Sequence, residues 1–225
     1  GFLHTGSLFA LTISHKLANQ SGGVFFIRLE ETEQKREIAG SGKSLVDQLC
    51  KFGVVPNEGY FGDDKELGAY GPYVQSAREH LYRVVIKHMV EHNMAYPCFC
   101  APEDLTKMRE EQQARKENFG YYGKYAKCSQ LTPEEAIQRI VNDEPYVIRF
   151  RSQGHYENKI VVTDAIRGVI EIAQNDQHIV ILKSDGLPTY HFAHAVDDHL
   201  MGTTHVIRGE EWLPSMPLHV LLYQA

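Results

Sequence analysis

The sequence predicts an α/β protein in which one α/β domain is split by an inserted α+β domain. Three observations predict it. A helical pattern, a glycine break and an apolar strand follow one another over residues 7–27, the order that builds an α/β sheet. Four short β-type runs crowd residues 146–182. From Thr189 the helix-then-strand order returns. The expected boundaries are 1–96 for the first half of the outer domain, 97–186 for the insertion and 187–225 for the second half.

Leu8, Leu11 and Leu17 with Phe9 and Ile13 space a helix over Ser7–Gln20, and Gly22-Gly23 breaks it. Val24–Ile27 then reads as a buried strand. Residues 37–52 fit a second helix stopped at Gly53, with Cys50 in its core beside Leu45 and Leu49. Gly68–Pro72 is a loop. Leu81, Val85 and Met89 step by four along a third helix, from Ser76 to Asn93.

Pro97–Pro102 is a tight knot, followed by a helix over Glu103–Lys116. Thr132, Pro133 and Glu135 supply an N-cap, a first-turn proline and the N3 acid of a further helix. The short strands are Tyr146–Phe150, Ile160–Thr163, Val169–Ile172 and Ile179–Leu182. A helix from Thr189, a strand at His205–Arg208 and a helix after Gly209 complete the chain, whose last residues are apolar at helical spacing.

Composition narrows the class. Of 225 residues, 43% are hydrophobic and 23% charged, which excludes disordered, collagen-like and coiled-coil chains. No apolar run approaches the ~18–20 residues that cross a bilayer, and the stretch from Gly1 to His4 has no Met and no basic-then-apolar leader, so no signal peptide is visible in it. The net charge of −6 argues against nonspecific coating of nucleic acid but leaves room for a local basic patch. The basic residues of Lys107–Lys127 alternate with Glu110, Glu111 and Glu117 and read as a solvated helix face. Four cysteines do not make a disulfide scaffold; the pair Cys98-Phe99-Cys100 points to metal or redox chemistry. Both ends are abrupt, so a piece of a longer protein is expected.

Five motifs carry chemistry. Gly1-Phe-Leu-His4-Thr-Gly6-Ser7 opens a helix whose free N–H groups suit a phosphate, with His4 as a donor to it. Two polar clusters follow apolar strands: Arg28-Leu-Glu30-Glu31-Thr32-Glu33 and Arg208-Gly-Glu210-Glu211-Trp212. Ligands sit beyond strand ends in α/β sheets, and one Arg with one Glu would match the carboxylate and ammonium of an amino acid. Ser184–His191 is a turn entering a helix, where Tyr190 offers a hydroxyl or simply packs. Cys98, Cys100 and Cys128, with Tyr121, Tyr125 or His155 as a fourth donor, are either a zinc site or reduced, partly buried thiols. His191, His194 and His199 with Asp197 and Asp198 lack the spacing of a metal motif.

Together these residues resemble the glutamyl-tRNA synthetases, a family of class I aminoacyl-tRNA synthetases. The likeness spans the chain and is most specific in Ser184–Ser215, with Arg28–Glu33 and Gly71–Ser76 adding to it. It implies a Rossmann-type parallel-sheet catalytic domain with an inserted α+β acceptor-stem-binding domain. It implies that His4, Gly6 and Ser7 stand where the His-Ile-Gly-His signature stands, with His4 and Gly6 on ATP. Glu30 would hold the substrate ammonium and Arg208 a substrate carboxylate, with Tyr190 and His194 lining the pocket. Glu211 and Trp212 would flank the adenosine.

The implied substrates and partners are ATP with Mg2+, L-glutamate and the acceptor stem of tRNA(Glu). The implied setting is a cytoplasmic monomer without membrane contact; a structural Zn2+ on Cys98, Cys100 and Cys128 is the reading of the cysteines themselves, with reduced thiols as its alternative. The family's segment before Gly1, its Lys-Met-Ser-Lys-Ser signature and its anticodon-binding domain do not fall in these residues. The expectation is therefore that the 225 residues alone are marginally stable and inactive. Two rival readings are a glutamyl-queuosine tRNA(Asp) synthetase, which shares the His-x-Gly-Ser start and the Cys knot, and a non-enzymatic zinc module that binds RNA.

Overall fold

Residues 3–31, 41–63 and 65–225 are described by the structure, a computed structural model. Gly1 and Phe2 of the first motif, Thr32 and Glu33 of the second, and residues 37–40 of the expected second helix lie outside them. The chain divides into two compact units, residues 1–82 with 196–213 and residues 83–195 with 214–225.

In the first unit, α1 (Thr5–Ser21) starts on a capped turn and ends where Gly22 turns left-handed and the Gly23 N–H returns to the Ala18 carbonyl at 2.8 Å. β1 (Phe26–Ile27) is shorter than the expected Val24–Ile27 and pairs in parallel with β2 (Glu58–Gly62); β2 pairs antiparallel with β3 (Lys65–Leu67). A further parallel bridge joins Leu29 to Val74. α2 (Ser41–Lys51) buries Val46 and Leu49. The core is Phe25, Ile27, Val46, Leu49 and Val54, with Leu8 and Leu11 of α1 packed on it. Cys50 is exposed, contrary to expectation, because it sits ~100° around the helix from the buried Leu49.

The expected helix over Ser76–Asn93 resolves into a 3-10 turn, Gln75–Arg78, and α3 (Glu79–Glu91). In the second unit, β4 (Ala95–Cys98) leads into α4 (Pro102–Ala114), and α5 (Pro133–Val141) precedes β5 (Val147–Phe150). α4 stops at Ala114, so Lys107–Lys127 is not one helical face; its later charges pair in turns, as Lys124 does with Glu117 at 2.7 Å. The cap of α5 is the expected one: Thr132 Oγ1 accepts from the Glu135 N–H at 3.2 Å, and the Glu135 carboxylate accepts from the Thr132 N–H at 2.8 Å.

β6 (Lys159–Asp164) and β7 (Gly168–Ala173) form a hairpin, while β4, β5 and β8 (Val180–Leu182) make an antiparallel sheet. Its register sets Tyr96 opposite Arg149. Tyr96, Cys98, Phe99, Tyr121, Ala126 and Cys128 form one buried cluster.

α6 (Tyr190–Leu200), a 3-10 helix at Glu210–Ser215 and α7 (Met216–Gln224) end the chain. The expected strand at His205–Arg208 does not form. Among the described residues no backbone ladder reaches it, and an extended segment without a pairing neighbour is not a strand. No helix among the described residues is long and apolar enough to cross a membrane.

Candidate functional site

His4 caps α1. Its Nδ1 accepts from the Ser7 N–H at 3.3 Å, its N–H donates to Ser7 Oγ at 3.2 Å, and Ser7 Oγ donates to the His4 carbonyl at 2.9 Å. A ring that accepts at Nδ1 carries its proton on Nε2, which leaves one outward donor on an exposed side chain. No acidic residue stands in the first turn of this 17-residue helix, so its N-terminal potential is not neutralised there. A Cβ at Gly6 would lie 3.4 Å from Cε1 and Nδ1 of His4, an ordinary contact. The fold itself therefore does not require glycine at position 6.

The second cluster is built on ion pairs. Arg28 donates from Nη2 to Glu30 Oε1 at 2.7 Å, from Nε to the same oxygen at 3.2 Å, and from Nη1 to Asp198 Oδ1 at 2.9 Å. Burial works against the Arg28 charge, but Glu30, Asp198 and Asp197 outweigh it and raise its pKa. Arg28 is thus committed to protein carboxylates. Glu31 accepts the Ser76 N–H at 2.8 Å.

Asp197 is fully buried and accepts from Arg78 Nε at 2.6 Å, Tyr82 hydroxyl at 2.8 Å and Gln75 Nε2 at 2.9 Å. Arg78 Nη1 donates in turn to the Pro72 and Tyr70 carbonyls at 2.9 and 3.1 Å. The Asp197-Asp198 pair is therefore an anchor for two arginines rather than part of a metal set. Arg78 and Tyr82 escape sequence reasoning, and Gln75 falls in the Gly71–Ser76 stretch without a role assigned to it.

In the same unit, the Arg208 guanidinium lies 4.7 Å from the Trp212 ring. The Trp212 N–H closes a turn on the Gly209 carbonyl at 3.1 Å. The Glu211 carboxylate folds over Gly209, whose Cβ would stand 2.2 Å from Glu211 Oε2. Only a residue without a side chain allows Glu211 that position.

In the second unit, Tyr190 and the buried His194 stack with ring centres 5.8 Å apart and planes 11° from parallel. His191 Nδ1 is 3.0 Å from His219 Nε2, and the His194 and His219 rings are 5.4 Å apart. His219 is hidden from sequence reading by the apolar run of α7.

The Cys98, Cys100 and Cys128 sulfurs all lie within 4.8 Å of one another, the one group of this kind among the described residues. Tyr121 joins them: its hydroxyl is 3.4 Å from Cys98 Sγ and 3.3 Å from Cys100 Sγ, and it accepts the Cys128 N–H at 3.1 Å. Tyr125 is elsewhere, donating to Glu117 at 2.5 Å, and His155 is exposed. Hydrogen bonds from Cys100 and Cys128 hold the Cys98 thiol well below its usual range, and the same sharing pushes Cys100 up. Burial pushes the Tyr121 hydroxyl up as well. Three sulfurs and one oxygen at these separations can hold a tetrahedral metal ion.

Comparison with known proteins adds to the capped helix start and the part-parallel α/β sheet. A family model described as tRNA synthetases class I (E and Q), catalytic domain, matches residues 1–225, and the chain belongs to that family. Within it, the chain is 49% identical over 224 residues to the glutamate–tRNA ligase of Clostridium perfringens (strain 13 / Type A), taking in 100% of this chain and 41% of that protein. The glutamate–tRNA ligase of Sorangium cellulosum (strain So ce56) is 41% identical over 236 residues, again 100% of this chain and 41% of that protein. A crystal structure of a glutamate tRNA ligase from Elizabethkingia meningosepticum CCUG26117, in complex with its amino acid, matches with TM-score 0.87 and 38% identity over 100% of this chain and 44% of that one. The chain spans about two fifths of the length of the curated relatives it matches.

Proposed function

We propose that this chain is the catalytic region of a glutamate–tRNA ligase that activates L-glutamate with ATP and transfers it to the 3′ end of tRNA(Glu). The observation that carries the reading is the 49% identity over 224 residues to the Clostridium perfringens ligase. The geometry at His4 supports it, because a fixed Nε2–H beside an unneutralised helix N-terminus suits the phosphates of ATP.

Two in-line steps follow. A glutamate carboxylate oxygen attacks the α-phosphorus of Mg-ATP and pyrophosphate leaves; a terminal ribose hydroxyl of the tRNA then attacks the glutamyl carbonyl and AMP leaves. Both rest on positioning and charge stabilisation. His4 donates to a phosphate oxygen as charge grows on it, Ser7 holds that ring, and Gly6 leaves room for the nucleotide. Glu30, oriented by Arg28, receives the substrate ammonium. Arg208 takes a substrate carboxylate and is aimed by the Trp212 ring. Tyr190 and His194 line the amino-acid pocket, and Glu211 with Trp212 flanks the adenosine.

Residues 97–186 form the insertion that meets the acceptor stem, and residues 1–96 and 187–225 the split catalytic domain. Cys98, Cys100 and Cys128, with Tyr121 as fourth donor, hold a structural Zn2+, which closes the knot and serves no catalytic step. The protein works as a cytoplasmic monomer.

The test is glutamate-dependent ATP–pyrophosphate exchange by the protein with its natural termini, with and without tRNA. Exchange that requires tRNA is expected. Exchange without tRNA would assign the glutamyl-queuosine activity instead, and none under either condition would overturn the enzyme reading.

A further inference from the structure

We propose that Arg149 and Arg151 are the counter-cations of the Cys98–Cys100–Cys128 cluster, positioning residues that set how tightly it holds metal. The proposal rests on the reading of that knot as a Zn2+ site.

Arg149 lies in β5 and Arg151 just beyond its end, and each guanidinium stacks on a tyrosine of the buried cluster that holds Cys98 and Cys128. The Arg149 guanidinium lies 4.0 Å from the Tyr121 ring centre, and its Nη1 donates to the His178 carbonyl at 2.8 Å. The Arg151 guanidinium lies 4.6 Å from the Tyr96 ring centre, and its Nη1 donates to the Ser129 carbonyl at 2.9 Å. Nε of each is buried without a hydrogen-bond partner. Arg149 as a whole is 8% exposed.

Two other arginines with buried side chains behave differently. Arg78 has Asp197 and Arg28 has Glu30 and Asp198. Even Arg139, which stacks on Phe99, has Glu144 at 2.5 Å. Among the described residues neither Arg149 nor Arg151 pairs with a carboxylate. Burying a cation without a nearby anion costs several kcal/mol in general, so an anion of another kind is expected close by.

Each arginine leads to the same place. Arg149 covers the ring whose hydroxyl stands 3.3 Å from Cys100 Sγ and 3.4 Å from Cys98 Sγ. Arg151 holds the carbonyl of Ser129, the residue after Cys128. Three thiolates around Zn2+ carry one net negative charge, in a cluster that buries Cys98 and Cys128. Two cations without a carboxylate partner thus reach this centre through Tyr121 and Ser129, and the third arginine that faces Cys100 and Cys128, Arg139, is already held by Glu144. Partners beyond the direct ligands commonly change metal affinity by about 10–100-fold.

The experiment is Zn2+ affinity by chelator competition on the protein and on R149M, R151M, R149K and K159M. The expected result is one tightly held Zn2+ in the unsubstituted protein and a loss of about 10–100-fold in R149M and R151M. R149K keeps most of the affinity because it keeps the charge. K159M, which removes an exposed cation paired with Glu171, leaves the affinity unchanged. Should R149M fail to fold by circular dichroism, R151M against R149K and K159M carries the comparison. Unchanged affinity in the foldable arginine-to-methionine variants, with an intact site in the unsubstituted protein, overturns this proposal alone. A protein that holds no Zn2+, or a C128A variant that holds it undiminished, overturns the zinc reading and this proposal with it.

Discussion

Nε of Arg78 donates to Oδ1 of Asp197 at 2.6 Å across 119 residues of sequence, with side chains only 2% and 0% exposed. Removing one partner of a buried pair leaves the other charge stranded, at a cost of about 3–5 kcal/mol. Asp197→Ala strands Arg78, Gln75 and Tyr82 at once. The unfolding free energy from urea titration should fall by that amount, and a loss below ~1 kcal/mol would mean that the network contributes little.

Gly59 carries the parallel pairing of β1 with β2. It has φ +113°, and a Cβ there would stand 2.2 Å from the Ile27 carbonyl oxygen and 2.5 Å from the Ile27 nitrogen. Backbone cannot yield as a side-chain tip can. Gly59→Ala should cost upwards of ~3 kcal/mol, read as a drop in thermal midpoint.

Gly6 separates folding from binding. Gly6→Ala adds a methyl at ordinary contact distance from the His4 ring and favours helix by up to ~1 kcal/mol. Stability should hold or rise slightly while ATP affinity falls, by calorimetric titration. Unchanged ATP affinity would remove Gly6 from the nucleotide site.

Acid should loosen the second unit through His178. Burial, then Arg151 and Arg149, lower its pKa to about 4, against ~6.5 in an unfolded chain. The unfolded state therefore takes up a proton that the folded state refuses. The stabilisation is full above pH ~6.5 and is lost as the pH falls toward 4. Discounted for partial exposure, the loss is about 1–2 kcal/mol. The ring shares a hydrogen bond between Nδ1 and the Tyr96 hydroxyl, 2.7 Å away, which His178→Asn would sever. The thermal midpoint of that variant should fall less steeply between pH 7 and pH 5 than that of the parent.

What could be read from the residues divides by range. The start of α5 is legible because Thr132, Pro133 and Glu135 settle it among themselves within one turn. The Cys98-x-Cys100 pair is legible for the same reason, and Cys128 follows from scarcity. Tyr121 is one of three candidate donors until the fold brings its hydroxyl to two sulfurs. The ligands of Asp197 come from Gln75, Arg78 and Tyr82, and no local spacing announces them. His205–Arg208 errs the other way: its β-type composition is local, whereas a strand depends on a neighbour.

The reach of the Arg78–Asp197 bond also sets an order of events during synthesis. Chains emerge at about 5–20 residues per second, so Arg78 leaves the ribosome on the order of ten seconds before Asp197, its buried anion among the described residues, exists. Residues 1–82 cannot complete their unit until residues 196–213 emerge, and residues 83–195 wait longer still for residues 214–225. Throughout that interval the nascent first unit holds Arg28 and Arg78 without Asp198 and Asp197, so its core cannot close around those cations.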